Sequence, residues 1–241
     1  MQFKDTPNRE IYKTSIWKSI NPTDRAHILL VAEGVKPMAY ADMSDLKDIK
    51  DYISKELKLF FVEARGRRAW YKTSVGIDLP HRVYTIYKSD KTLRLIQRLW
   101  SSNRSNYQDR EGELLGFPKC CRKEYSNPTY NKRFNGFILK FFRRPYTFLI
   151  QAVKMFLEGR EIPKEYLYLM PSQTPCSVEC KKSLNLLKVW RELLRKYDPE
   201  AAKTLEEFNE YNVLREIKEI TTRLKERKIT SVQFEKGYIF S

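Results

Sequence analysis

The sequence has few histidines and few glycines, and both shortages narrow the chemistry open to it. His27 and His81 are the only histidines among 241 residues, so acid–base catalysis would have to depend on carboxylates, tyrosines or thiols. The eight glycines form neither a phosphate-binding loop nor a dinucleotide-binding fingerprint, and no nucleophile elbow is present. A phosphate-cradling enzyme site is therefore not expected, and His27, which lies in an apolar stretch, is expected to be structural.

Long apolar runs are also missing. No stretch approaches the roughly 20 apolar residues that a membrane-spanning helix needs. Residues 1–7 lack the apolar core of a signal peptide. We therefore expect a cytoplasmic protein with no membrane partner. In that compartment the four cysteines are better explained by metal binding, redox work or free thiols than by structural disulfides.

Acidic residues are in short supply relative to basic ones. The chain has 46 lysines and arginines against 30 aspartates and glutamates, which gives a formal net charge of +16 and a pI near 9.6. A charge this large favours polyanionic partners, with nucleic acid ahead of an anionic membrane surface and RNA ahead of DNA. A solvated basic surface and an additional protein partner remain alternatives.

The apolar pattern predicts an α+β fold: a small N-terminal sheet with packed helices, then a mainly helical half with a long helical hairpin. We expect residues 1–100 to form a small α+β unit and the polar, non-periodic residues 101–114 to form a linker or mobile loop. Residues 115–241 are predicted to be a mainly helical region that carries the cysteines. One continuous domain is the alternative.

Individual elements are predicted from their flanking signals. In the first part, strands are expected at 38–41, 59–62, 69–71 and 82–87. In the second part, helices are expected at 117–125, 146–157, 178–197 and 199–228. Asp198-Pro199 is an N-cap followed by proline at the first helical position, so one helix should end there and the next begin.

The cysteines fall into two tight clusters, Cys120-Cys121 and Cys176-x₃-Cys180. Both clusters are predicted to lie at helix starts, with Pro118 at one and Ser177 as the N-cap of the other. Four thiolates are the number that a structural zinc or an iron–sulfur cluster requires. Neighbouring residues on a helix point about 100° apart, so Cys120 and Cys121 should share a metal only if that turn is irregular. Otherwise one of them is a core residue.

Two other readings of the cysteines stay open. A helix N-terminus and nearby lysines favour the thiolate, so Cys176 or Cys180 can instead be the low-pKa nucleophile of a thiol-dependent enzyme. The cysteines can also be inert buried thiols in a protein-binding accessory factor. Ser183 stands where a radical-type cluster loop would need a third cysteine, which argues against that class.

The two motifs together carry a family resemblance. Gly-Phe-Pro-Lys-Cys-Cys-Arg-Lys-Glu-Tyr at 116–125 and Thr-Pro-Cys-Ser-Val-Glu-Cys-Lys-Lys-Ser at 174–183 resemble an uncharacterised, mainly archaeal family, domain of unknown function 483. The resemblance covers about residues 85–210 and implies an archaeal, intracellular protein with no assigned activity. This chain has Gln173 and Thr174 before Pro175, where relatives often show a histidine, and the departure weakens any model with a histidine ligand there.

Basic and aromatic residues alternate in two stretches. Cations for phosphates and aromatic rings for stacked bases are typical of single-stranded nucleic-acid sites, although the aromatics can equally form a buried helix face. The candidate nucleic-acid-binding residues are Lys119, Arg122, Lys123, Lys132, Arg133, Lys140, Arg143 and Arg144 in the larger stretch, and Arg65, Arg67 and Arg68 in the smaller one.

Overall fold

The computed structural model of this protein describes residues 7–42, 48–63, 83–101, 104–125, 146–169 and 175–228. Within these ranges the fold is α+β, as predicted, with one three-stranded antiparallel sheet and otherwise helices. The strand predicted at 69–71 and the tail at 229–240 lie outside the described residues. In the described part of the chain, no helix combines the length and the apolar character that crossing a membrane requires.

The sheet has the order β1-β3-β2, where β1 is Met38–Asp42, β2 is Phe60–Glu63 and β3 is Val83–Tyr87. Both outer strands pair with β3 in antiparallel register, and Tyr87 faces Met38 on one side and Phe60 on the other. Thr85 and Ile86 in the central strand are completely buried. The β-branched and aromatic composition of β3 suits this central position.

The helices of the N-terminal part cover this sheet. A 3₁₀ turn at Arg9–Lys13 is followed by the short helix α1, Ser15–Lys18. The chain divides there because Thr14 adopts an extended backbone and caps α1 through its side chain. Helix α2, Pro22–Ala32, packs on β1 and β3, and α3, Lys50–Leu57, packs on β2.

The prediction of an irregular segment at 101–114 is wrong for most of its length. Helix α4 spans Asp90–Trp100, and a further helix, α5, spans Arg104–Leu114 and packs against α4. Helix α5 has no amphipathic stripe, which is why its sequence resembles a loop. Its stabilising contacts are tertiary: Leu114 is buried, and Tyr40 in β1 donates a 2.8 Å hydrogen bond to Glu111.

Among the described residues after α5 there are five helices: α6, Lys119–Tyr125; α7, Tyr146–Leu157; α8, Lys181–Tyr197; α9, Pro199–Asn209; and α10, Arg215–Glu226. A 3₁₀ turn at Lys164–Tyr168 precedes α8, and a π-helical turn at Glu210–Leu214 joins α9 to α10. Asp198 caps α9 as predicted, since its side chain accepts from the Ala201 N–H at 3.0 Å. Helix α10 packs along α7.

The chain divides into two compact units. The first contains Met1–Gly116 and Glu192–Thr204, and the second contains Phe117–Arg191 and Leu205–Ser241. The sheet belongs to the first unit, whose core includes Trp17, Leu29 and Leu57. The four cysteines belong to the second, whose core includes Phe148, Tyr166 and Trp190.

Candidate metal centre

The two cysteine clusters meet in the second unit. Cys120 and Cys121 occupy the second and third residues of α6, and Cys176 and Cys180 lie in the turn that leads into α8. The four Sγ atoms all lie within 4.8 Å of one another. Cys121 and Cys180 are buried, whereas Cys120 and Cys176 are half-buried. The predicted set of four thiols therefore forms one cluster.

The sulphur separations fit a single metal ion. Cys180 Sγ lies 3.7 Å from both Cys120 Sγ and Cys121 Sγ, and these two sulphurs are 3.9 Å apart. A zinc ion with Zn–S bonds of about 2.3 Å in tetrahedral geometry places its sulphurs about 3.8 Å apart. The four thiolates of an iron–sulfur cluster are divided among two or four irons, so the full set of four stands farther apart than around one ion. The spacing favours a mononuclear centre, and no disulfide links the four cysteines.

The expectation that Cys120 and Cys121 can share a metal only at an irregular turn is wrong. The backbone there is helical, since the Arg122 N–H donates to the Pro118 carbonyl at 3.0 Å. Although their Cα–Cβ bonds diverge, each Sγ can be turned by rotation about χ1, and the two sulphurs approach to 3.9 Å. Neither cysteine is left as a separate core residue.

The helix after the second cluster begins later than predicted. We expected Ser177 to cap a helix in which Cys180 was the third residue, but α8 begins at Lys181 and Cys180 precedes it. The Cys180 carbonyl accepts the first helical hydrogen bond, from the Leu184 N–H at 2.9 Å. The Ser183 backbone N–H is one of the groups that a helix start leaves without a helical partner, and it lowers the pKa of the Cys180 thiol. Cys180 therefore stands at the position that precedes the first residue of α8.

Two residues that the sequence analysis did not single out hold the second cluster in place. Gln151, in α7, accepts a 2.9 Å hydrogen bond through its side-chain oxygen from the Val178 N–H. Tyr166 donates its hydroxyl to the carbonyls of Ser177 and Val178, at 3.1 and 2.8 Å. Both contacts bind the backbone between Cys176 and Cys180, and this backbone has no strand or helix to satisfy its polar groups.

Crowding makes it costly for the four thiols to ionise together. Burial raises the pKa of Cys121 to about 11, although hydrogen bonds from Ser183 and the Cys176 N–H favour its thiolate. Burial, followed by the neighbouring Cys121, also raises the pKa of Cys176. At Cys180 burial acts in the same direction, but hydrogen bonds, led by those from Ser183, outweigh it and lower the pKa to about 7. A divalent cation among the sulphurs would remove the like-charge cost.

Few of the predicted nucleic-acid-binding residues can be placed. Lys119, Arg122 and Lys123 lie on α6 beside the cysteines, and both lysines are exposed. The other candidates, Lys132, Arg133, Lys140, Arg143, Arg144, Arg65, Arg67 and Arg68, lie outside the described residues. Exposed Lys181 and Lys182 in the first turn of α8 are next to Cys180 in sequence. The cysteine cluster thus has basic residues beside it in both of its segments.

Comparisons with protein-family models, with curated proteins and with solved structures found no match. The resemblance to domain of unknown function 483 therefore stays a prediction. What the chain does has to be inferred from the cysteine cluster and the charge around it.

Proposed function

We propose that this protein is a structural-zinc protein that associates with RNA through a basic surface beside its metal centre. The observation that carries the proposal is the convergence of four thiols within 4.8 Å of one another. Zinc suits four thiolates in tetrahedral geometry, and a site with four protein ligands has no open position for a substrate or a reactive water. We accordingly assign the ion a structural role: it would join the start of α6 to the turn before α8.

The residues present fit the ion in charge as well as in geometry. Four thiolates around Zn²⁺ carry a net charge of −2, which needs compensation in a partly buried site. Lys119, Arg122 and Lys123 from one segment, and Lys181 and Lys182 from the other, supply positive charge at both ends of the centre. The four lysines of this set are exposed, so their ammonium groups can meet further anions.

The RNA part of the proposal rests on charge. The net charge of +16 favours a polyanion, and the α6 lysines are exposed rather than engaged in the core. RNA is favoured over DNA because the predicted surface interleaves cations with aromatic residues, which suits unstacked bases. An archaeal origin, as the resemblance to domain of unknown function 483 implies, belongs to the same proposal.

Changing each cysteine to serine in turn tests the metal part. If the four thiols hold one structural zinc, each single substitution should lower the bound zinc and the thermal stability together. A chain in which only one substitution matters, and matters for activity rather than stability, would support a thiol enzyme instead. Four substitutions without effect on zinc or stability would identify the cysteines as inert.

A further inference from the structure

Ser183 is completely buried, and it contacts two of the four cysteines. Its hydroxyl oxygen lies 3.1 Å from Cys121 Sγ, and its hydroxyl and backbone N–H both lower the pKa of Cys180. A buried hydroxyl without a partner costs about 1–3 kcal/mol, so its position against a sulphur is a specific interaction to be explained. Ser183 stands three positions after Cys180, so this position carries a hydrogen-bond donor and not a further cysteine.

Metal binding to Cys121 would fix which group donates the hydrogen bond between Ser183 and Cys121. Between a thiol and a hydroxyl either atom can donate, but a metal-bound thiolate has no proton and can only accept. The Ser183 hydroxyl must then donate to Cys121. A second donor converges on the same sulphur, because the Cys176 backbone N–H lies 3.3 Å from Cys121 Sγ. Cys121, which is only 2% exposed, thus receives two hydrogen bonds at a buried position.

We infer that Ser183 is a positioning residue of the metal centre, whose hydroxyl orients and stabilises the Cys121 thiolate for metal binding. This inference rests on the proposed zinc site. Hydrogen-bonding partners of metal ligands typically contribute 10–100-fold to metal affinity. Changing the side chain keeps the Ser183 backbone N–H but removes the hydroxyl that favours the thiolate of Cys121 and also lowers the pKa of Cys180.

The experiment compares Ser183→Ala with Ser183→Thr and with Thr221→Ala, all in the full-length chain. Threonine keeps the hydroxyl. Thr221 is a matched control, because it is a buried hydroxyl of the same unit that donates to its own helix, to the Ile217 carbonyl at 2.8 Å. Zinc affinity is measured by competition with a chromophoric chelator. We expect Ser183→Ala to weaken zinc binding by about 10–100-fold, and the other two variants to stay near the unsubstituted protein.

Cobalt substitution gives a readout that a merely structural role would not change. A hydrogen bond lowers the energy of the sulphur lone pairs, so its loss should move the sulphur-to-cobalt charge-transfer band of Ser183→Ala to longer wavelength. Thr221→Ala should leave the band in place. An unchanged band together with unchanged zinc affinity in Ser183→Ala would overturn the inference.

A Ser183→Ala variant that does not fold and an unsubstituted protein that binds no zinc would have different meanings. If Ser183→Ala does not fold, Ser183→Val, which has the shape of the threonine variant but no hydroxyl, takes its place, and it should show the same loss of affinity and the same shift relative to Ser183→Thr. Unchanged or tighter zinc binding by that variant would count against a donor role. If the unsubstituted protein binds no zinc, the proposed function fails first. If it binds zinc and Ser183→Ala binds equally well, only the role of Ser183 fails.

Discussion

Arg25 and Asp198 form an ion pair in the interior of the first unit, although 173 residues separate them in sequence. Arg25 Nε lies 2.9 Å from Asp198 Oδ2, and both side chains are almost fully shielded from water. The same carboxylate accepts a 2.7 Å hydrogen bond from the Trp17 indole N–H. Arg25 also lies 2.9 Å from Glu200, whose side chain is mostly exposed. Asp198 therefore serves both as the cap of α9 and as the buried counterion.

Asp198→Asn should separate these two roles, because asparagine is also a good N-cap residue but carries no charge. It leaves Arg25 buried with only the exposed Glu200 as a counterion, and breaking a buried pair from one side costs about 3–5 kcal/mol. We expect the free energy of unfolding, measured by urea titration, to fall by about 3 kcal/mol. Glu200→Gln, the control, should cost at most about 1 kcal/mol. Equal effects of the two substitutions would contradict the assignment.

Gly116 lies immediately before the first cysteine motif and has a left-handed backbone with φ +81°. A Cβ at this position would lie 3.3 Å from Pro37 Cδ. Gly34 provides a matched control, since its φ is +76° and a Cβ there would have no atom within 4 Å. Gly34→Ala should cost about 1 kcal/mol from backbone strain alone, and Gly116→Ala should cost about 1–3 kcal/mol more from crowding. Thermal unfolding of the two variants measures the difference, and equal melting temperatures would refute the packing argument.

Lys36 is buried, and burial lowers its pKa to about 7 from an ordinary value of 10.5. Because the folded-state pKa of Lys36 is the lower one, the folded protein binds this proton less readily than the unfolded chain does. The contribution of Lys36 to stability is therefore complete above its unfolded-state pKa and is lost as the pH falls through about 7. Unfolding free energy should therefore rise between pH 7 and pH 10 relative to Lys36→Met, which cannot titrate at this position.

The pH dependence of the Lys36→Met variant has to be compared with a control variant over a restricted pH range. Lys91→Met, at an exposed position of α4, should keep a constant stability difference from the unsubstituted protein over the same range. Measurements stay above pH 7 because burial, with Lys36 nearby, also lowers the pKa of His27 well below its usual value. A Lys36→Met difference that does not change with pH would show that Lys36 keeps an ordinary pKa.

The proposed RNA surface predicts a specific effect of charge reversal on α6. Lys119→Glu with Lys123→Glu should weaken binding to single-stranded RNA and reduce the salt dependence, by about one in the logarithmic slope for each lost phosphate contact. Lys91→Glu with Lys188→Glu changes the net charge equally at exposed positions of α4 and α8 and should have a smaller effect. Filter-binding titrations at several salt concentrations compare the pairs, and indistinguishable affinities would place the RNA contact elsewhere.

Local sequence signals predicted the elements that depend on local chemistry. Asp198-Pro199 marked the junction between α8 and α9, because capping and proline preferences act within one turn. The aromatic and β-branched run at 83–87 marked the central strand for a similar reason. The number and spacing of the four cysteines predicted a shared ligand set as one of three possibilities, and their sulphurs do lie close together.

What the sequence did not reveal depends on contacts between distant residues. Helix α5 lacks an apolar stripe, and its hydrogen bond from Tyr40 to Glu111 joins residues 71 positions apart. Helix α8 begins later than predicted and leaves Cys180 at the position before its first residue, where serine or aspartate is the usual signal. Gln151 and Tyr166 have no motif of their own and are found only through the backbone groups they bind. Ser183, three residues into α8, could have been noticed as a donor at a helix start.

The most direct test of the central claim is metal analysis of the untagged protein purified without oxygen, combined with zinc X-ray absorption spectroscopy. We predict about one zinc per chain, bound by four sulphurs at about 2.3 Å. Protein that is free of metal, or that contains several irons with inorganic sulfide, would contradict the assignment of Cys120, Cys121, Cys176 and Cys180 to a single tetrahedral ion.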